Sequence, residues 1–192
     1  MPAVVFNIKR RDLMNYKYTY KTPDGFSDMI MNSDGENLTA LCFESARDIS
    51  KLKSDGEEKL IPVFEDTVRW LDRYFGGEIP DFLPKYKIES LTPFRKRVSD
   101  IMLEIPYGKT VTYNGIAKEI AKARGLEKMS AQAVGGAVGF NPICIIIPCH
   151  RVVGTNGSLT GYGGGIKNKI KLLELEGHDM NKFIIPKKGT AL

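Results

Sequence analysis

The stretch Ile145-Ile146-Ile147-Pro148-Cys149-His150-Arg151-Val152-Val153 decides how the rest of the chain is read. A short β-branched apolar run predicts a buried extended segment, and Pro148, with no N–H and a fixed φ, ends regular pairing just before Cys149. The segment thus delivers a cysteine and a histidine to the mouth of the core. A thiol in that position is either a small buried hydrophobe or a nucleophile. Its reactivity follows its thiolate fraction, which His150, Arg151 or a helix N-terminus would raise. A nucleophile needs a base, and the base an orienting group; His150 and Glu176 fit those roles. Adjacent side chains diverge, so sequence proximity does not place His150 against the sulfur. Cys144, an odd number of residues away along an extended segment, is expected to face the opposite side.

Upstream, the pattern from Pro93 is helical. Val98, Ile101, Met102 and Ile105 form one stripe, stopped by Pro106-Tyr107-Gly108. Thr112 is placed to cap a helix from Tyr113 to Ala123 that ends at Gly125, and Ser130 to cap another from Ala131 to Gly139. Two short helices joined by a turn make a helix-turn-helix. The second helix carries almost no long side chains; Gln132 is its one candidate for reading bases. A helical glycine costs about 1 kcal/mol, so Gly135-Gly136 marks either tight packing within the protein or the close approach of a partner.

Downstream, Gly154 to Gly165 is a glycine-dense loop and Lys167 to Leu175 a charged helix. Glu176 falls at the C-terminal end of that helix, beside Gly177, where the dipole opposes an anion by about 0.3–1 kcal/mol. It is either an exposed glutamate of little consequence or a local rule broken for function.

The N-terminal half reads differently. Runs at Tyr16–Lys21, Ser27–Asn32 and Leu38–Phe43, separated by Pro23-Asp24-Gly25 and Asp34-Gly35, predict an antiparallel meander. Lys51 to Lys59 is expected to be a loop. Pro62 opens a helix from Val63 to Phe75, closed by Gly76-Gly77, with Phe64, Val68, Leu71 and Phe75 at helical spacing. The predicted fold class is α+β: a small N-terminal antiparallel sheet with a packed helix, then a mostly helical, winged-helix-like unit. Residues 1–13 are expected to be a flexible extension, 14–84 a scaffold domain, 92–180 a second domain holding the helix-turn-helix and Cys149, and 181–192 a tail.

Composition narrows the class. The chain has 192 residues, 42% of them hydrophobic, enough for a buried core. A net charge of +5 suits a polyanionic partner without requiring one. Three cysteines, Cys42, Cys144 and Cys149, give an odd count without framework spacing, which points to a reducing, cytoplasmic setting. With two histidines and no CxxC pair there are too few spaced ligands for a zinc site, so no metal and no cofactor are expected. No stretch approaches the length of a membrane span.

The string PCHRVV, preceded by Asn141-Pro142 and followed by Gly154, Tyr162-Gly163-Gly164 and Leu172 to His178, closely resembles the O6-alkylguanine-DNA alkyltransferases. The resemblance covers residues 92–178 with specific motifs and Met14 to Pro84 loosely. It implies a monomeric DNA-repair protein that binds the minor groove of duplex DNA carrying alkylated bases. The lesion would be flipped out and its alkyl group moved to Cys149, once per molecule; O4-alkylthymine is a second substrate in question. The resemblance implies a relay from Cys149 through a water to His150 and Glu176, with Asn141 bracing the helix-turn-helix against the active-site segment. Tyr113, Val152, Tyr162, Gly163 and Lys169 would form the base pocket. Arg95, Asn114, Gln132, Gly135 and Thr155 would meet DNA. Relatives commonly carry an arginine where this chain has Gln132, some an arginine near Gly139-Phe140, and some a serine where it has Gly163. A lesion sensor or helix-turn-helix regulator, and a Cys-His hydrolase or thiol redox protein, are the competing readings.

Overall fold

A computed structural model describes residues 15–46 and 55–185. The expected N-terminal extension, part of the expected 51–59 loop and the end of the expected tail lie outside these residues. Strands β1 (Tyr16–Tyr20), β2 (Met29–Ser33) and β3 (Leu38–Phe43) form the antiparallel meander. Met29, Met31 and Ser33 alternate inward on β2, the two-residue period that one buried face imposes. The expectation of a purely antiparallel sheet is corrected: β4 (Glu57–Glu58), inside the segment read as a loop, pairs parallel with β1 and makes the sheet mixed, in the order β3-β2-β1-β4. Two exposed glutamates carry no apolar signal from which a strand could be read.

Helix α1 (Pro62–Phe75) begins with proline at its first position, where a missing N–H costs nothing. It buries Val63, Phe64, Thr67, Trp70, Leu71 and Tyr74, one stripe at three- and four-residue spacing. The stripe covers the sheet: Phe64 stacks on Tyr18, Phe75 on Tyr20, and the Tyr20 hydroxyl donates to Asp72.

Strand β3 is the sheet edge, yet it is buried on both faces. Two passing segments cover it. Leu38 exchanges backbone hydrogen bonds with Lys85 and Lys87, and Leu41 with Pro142 and Cys144 at 2.8 and 2.7 Å. The second pair joins the N-terminal sheet directly to the segment that carries Cys149, and an edge covered in this way cannot recruit a foreign strand.

Helices α3 (Tyr113–Ala123) and α4 (Ala131–Gly139) start at their expected caps, Thr112 accepting from the amide of Gly115 and Ser130 from that of Ala133, and α2 (Pro93–Leu103) starts at Thr92, which accepts from the amide of Arg95. Strand β5 (Val111–Thr112) pairs parallel with β6 (Val152–Val153), so Thr112 both caps α3 and ties the helix-turn-helix to the residues just past His150. Helix α5 (Ile166–Leu175) closes the site. Ile184, in the segment expected to be a tail, bridges Ser158. One apolar cluster runs from the sheet through α1 to α4 and the active-site segment. Among the described residues no helix is long and apolar enough to cross a membrane.

Candidate active site

The run before Cys149 is not a strand. Ile145 adopts φ +69, Ile146 donates back to the Cys144 carbonyl at 2.9 Å and Ile147 to that of Ile143 at 3.1 Å, so the chain reverses within four residues. The apolar residues report burial, which is nearly complete here, and burial alone does not fix the backbone dihedrals. A left-handed β-branched residue costs about 1–2 kcal/mol. Asn141 holds it in place: its Nδ2 donates to the carbonyls of Ile147 (2.8 Å) and Ile143 (3.3 Å), and its Oδ1 accepts from the amide of Ile143 at 3.0 Å. The same Nδ2 lies 3.1 Å from the sulfur of Cys149. Asn141 follows the C-cap of α4, Phe140, and it therefore braces the helix-turn-helix against the active-site turn.

The reversal also overturns the expectation for Cys144. Its thiol lies within hydrogen-bonding reach of Cys149 instead of on the opposite side. Cys149 opens a 3-10 turn, Cys149–Arg151, and is buried. The contact with Cys144 and the burial push its thiol well above the ordinary range, against the amide of Asn141 and the Lys169 cation, which favour the thiolate. At rest this is a neutral thiol.

His150 is fully buried. Its Nε2 meets Oε1 of Glu176 at 2.8 Å. Glu176 is 5% exposed, which rules out the reading of it as a solvated surface residue. Arg151 clamps it with a fork, Nε to both carboxylate oxygens at 3.0 Å and Nη2 to Oε1 at 2.9 Å. The amide of Gly108 donates to Oε2 and the hydroxyl of Tyr74 to Oε1. Burial opposes ionisation of Glu176, but the bonds from His150 and the Arg151 guanidinium outweigh it and hold the carboxyl down at about 2. This fork also offsets the opposition of the α5 dipole. Burial, helped by the Arg151 cation, lowers the His150 pKa and keeps the ring neutral. An ionised Glu176 only accepts, which assigns the proton of the neutral ring to Nε2 and leaves Nδ1 as the basic nitrogen. Nδ1 is buried and has no hydrogen-bond partner among the described residues.

Of the expected pocket residues, Tyr113, Tyr162 and Lys169 lie close enough to Cys149 to interact with it electrostatically. Tyr113 donates to the Thr160 carbonyl at 3.0 Å, and the buried ammonium of Lys169 to those of Val152 (2.7 Å) and Thr160 (3.3 Å). Desolvation brings Lys169 down to about 8. Tyr162 is buried against Gly164, where an added Cβ would meet its ring at 2.7 Å, and Gly163 is exposed. The expected DNA residues lie outward. Asn114, Gln132 and Thr155 are exposed, and Arg95 is half-buried with its guanidinium 3.8 Å from the Phe140 ring centre.

The glycines of α4 bear on the choice left open by the sequence. A Cβ on Gly136 or Gly139 would meet nothing within 4 Å, and one on Gly135 only the Tyr113 ring at 4.0 Å, an ordinary contact. Packing within the protein does not demand them.

Sequence reasoning missed Arg151 as the clamp on Glu176, and Tyr74 and Gly108 altogether. Tyr74 reads as one more residue of an apolar helix stripe, and no local signal marks its contact with a residue 102 positions away. Among the described residues no cluster of three or more potential metal ligands exists.

A buried thiol, a histidine held by an ionised carboxylate and an adjoining helix-turn-helix define a protein that couples cysteine chemistry to nucleic acid. Residues 93–178 match the family model described as the DNA-binding domain of 6-O-methylguanine DNA methyltransferase. The methylated-DNA–protein-cysteine methyltransferase of Haemophilus influenzae is 38% identical over 159 residues, 83% of this chain and 85% of its own length. That of Mycobacterium leprae is 46% identical over 117 residues, 61% of this chain and 67% of its own. The crystal structure of Mycobacterium tuberculosis O6-methylguanine methyltransferase superposes with a TM-score of 0.69 at 39% identity, over 85% of this chain and 93% of that one. The Mycobacterium tuberculosis structure in complex with DNA does so with a TM-score of 0.69 at 36% identity, over 88% and 94%. The chain belongs to the methylated-DNA–protein-cysteine methyltransferases, DNA-repair proteins that transfer alkyl groups from DNA.

Proposed function

We propose that this protein repairs O6-alkylguanine in duplex DNA by moving the alkyl group to Cys149, once per molecule, and that O4-alkylthymine is a secondary substrate. The observation that carries the reading is the buried pairing of His150 with Glu176 at 2.8 Å, placed behind the Cys149 turn and beneath the helix-turn-helix. The target atom is stacked inside a duplex, so the base must leave the stack, at a cost of a few kcal/mol. The small face of α4 lies along the minor groove, and Gln132 fills the gap left by the extruded base.

In the pocket the Cys149 sulfur attacks the alkyl carbon. The S–C bond forms as the C–O6 bond breaks, and the electron pair stays on the guanine. The thiol proton passes through a bridging water to Nδ1 of His150, whose cation Glu176 stabilises; the imidazolium then gives that proton to solvent as the guanine anion takes one from solvent, so one proton in total moves from thiol to guanine. Tyr113, released from Thr160, donates to ring nitrogen N3, and the backbone amide at Gly163 donates to the leaving oxygen. Val152 offers its carbonyl's second lone pair to the exocyclic amine, Tyr162 walls the base and Lys169 lies behind it. The neutral resting thiol agrees with the energetics. Lowering a thiol's pKa by about 3 units gains thiolate but forfeits a comparable factor in nucleophilicity at a Brønsted slope of about 0.4–0.5. Most of the acceleration then comes from alignment and from donors to the leaving anion. A thioether is not reversed by thiol exchange, so Cys144 does not regenerate the nucleophile.

The test is incubation with a duplex oligonucleotide carrying radiolabelled O6-methylguanine. Label should move to wild-type protein up to one equivalent and not at all to Cys149→Ala. Binding without transfer would indicate a lesion sensor, and catalytic release of label a hydrolase; either rejects the reading.

A further inference from the structure

Helix α1 contributes none of the residues given a chemical role above, yet it inserts one hydroxyl into the relay. Tyr74 is 1% exposed and its ring is fixed on several sides, stacked on Trp70 and edge-on to Phe75, Tyr107 and His150. Its hydroxyl donates to Oε1 of Glu176 at 2.7 Å and lies 3.3 Å from Nε2 of His150. Oε1 is also the oxygen that accepts from His150. We propose that Tyr74 is a positioning residue of the alkyl transfer, whose hydroxyl shares the carboxylate oxygen that orients His150 and so sets how tightly Glu176 holds the proton-bearing imidazole. The proposal rests on the reading of His150 as the base.

The groups facing the pair separate its role from theirs. Arg151 comes from the pair's own segment, Tyr107 and the Gly108 amide from the turn after α2, Lys169 from α5 and His178 from beyond it. Arg151 is a permanent cation that disfavours protonation of His150 in every state. The Tyr107 hydroxyl is committed to the Leu175 carbonyl, and Lys169 to Val152 and Thr160. Besides His150 itself, Tyr74 is the neutral side chain that donates to Oε1. A carboxylate oxygen shared between donors binds each less strongly, so removing this hydroxyl concentrates charge on the oxygen opposite Nε2 and favours the imidazolium. The second contact, to Nε2 itself, fixes the ring plane and with it the direction in which Nδ1 points.

Tyr74→Phe deletes the hydroxyl and keeps the ring. The measurements are nuclear magnetic resonance titration of His150 in isotope-labelled protein and the single-turnover transfer rate over the same pH range. In the variant His150 should titrate higher by about half a pH unit to one, and the acid limb of the rate profile should follow it. Well below the titration midpoint of the unsubstituted protein the rate should then fall by about three- to tenfold, with the alkaline plateau within about twofold. An unchanged titration, or a loss by the same factor at every pH, would reduce Tyr74 to packing and overturn the proposal. The unsubstituted protein gives an independent check even if the variant fails to fold: neutral His150 should carry its proton on Nε2, and a proton on Nδ1 contradicts the arrangement. Both magnetic resonance readouts need no substrate, so they stand apart from any failure of the alkyl-transfer reading.

Discussion

Glu176 draws together four donors from three parts of the chain, and its partners show what a single residue carries here. Arg151 places its guanidinium on both carboxylate oxygens, with a side chain only 11% exposed opposite one that is fully buried. Breaking a buried pair by removing one member leaves an uncompensated charge, so Arg151→Met should destabilise the protein by about 3–5 kcal/mol. The urea midpoint measures this, and a loss below about 1 kcal/mol would show that the fork is idle. Arg151→Lys should recover only part of the loss, because an ammonium cannot bridge both oxygens. Cys149, His150, Asn141 and Glu176 were legible in the sequence because each sits in a motif or breaks a local rule. Arg151 was visible but was given the wrong partner, since it turns toward Glu176 and not the thiol. Cys144 was misplaced because one left-handed residue, Ile145, reverses the chain and brings both thiols to the same side.

At the scale of elements, the helices were readable because their ends are written in neighbouring residues: Thr112 and Ser130 accept from the amides three positions on. The strand at Glu57–Glu58 was not, because its partner lies far along the chain, nor was the turn at Ile145, because a β-branched apolar run carries no turn signal. Helix α4 gives a test in which stability and function move oppositely. Gly136 has open space for a Cβ, so Gly136→Ala should stabilise the fold by up to about 1 kcal/mol, seen in the melting temperature. The same methyl stands on the face assigned to the minor groove and should weaken binding to duplex DNA. Unchanged DNA affinity would remove the argument for a slim helix. Gln132→Ala should slow transfer from duplex far more than from single-stranded DNA, where no gap needs filling; equal effects on both substrates contradict the wedge.

Across the whole molecule, the β3 edge, α1 and the active-site segment share one core, so the chemistry and the fold respond to pH together. Glu176 is held at about 2 in the fold against an ordinary 4.5, so the stability it contributes is complete above 4.5 and is lost as pH falls toward 2. His150 is lowered from 6.5: below that pH the unfolded chain takes up a proton that the folded chain refuses, which again removes stability in acid. The urea midpoint should therefore decline as pH drops below 6.5 and steepen below 4.5. A flat profile through the first of these ranges contradicts a neutral, buried His150. The most direct measurement of the central claim is peptide mapping by mass spectrometry after exposure to a duplex containing one O6-methylguanine per strand. The account predicts the addition of one CH2 to the peptide bearing Cys149, reaching one equivalent and going no further, with guanine restored in the DNA. An unmodified Cys149 beside repaired DNA, or a methyl group on any other side chain, would contradict it.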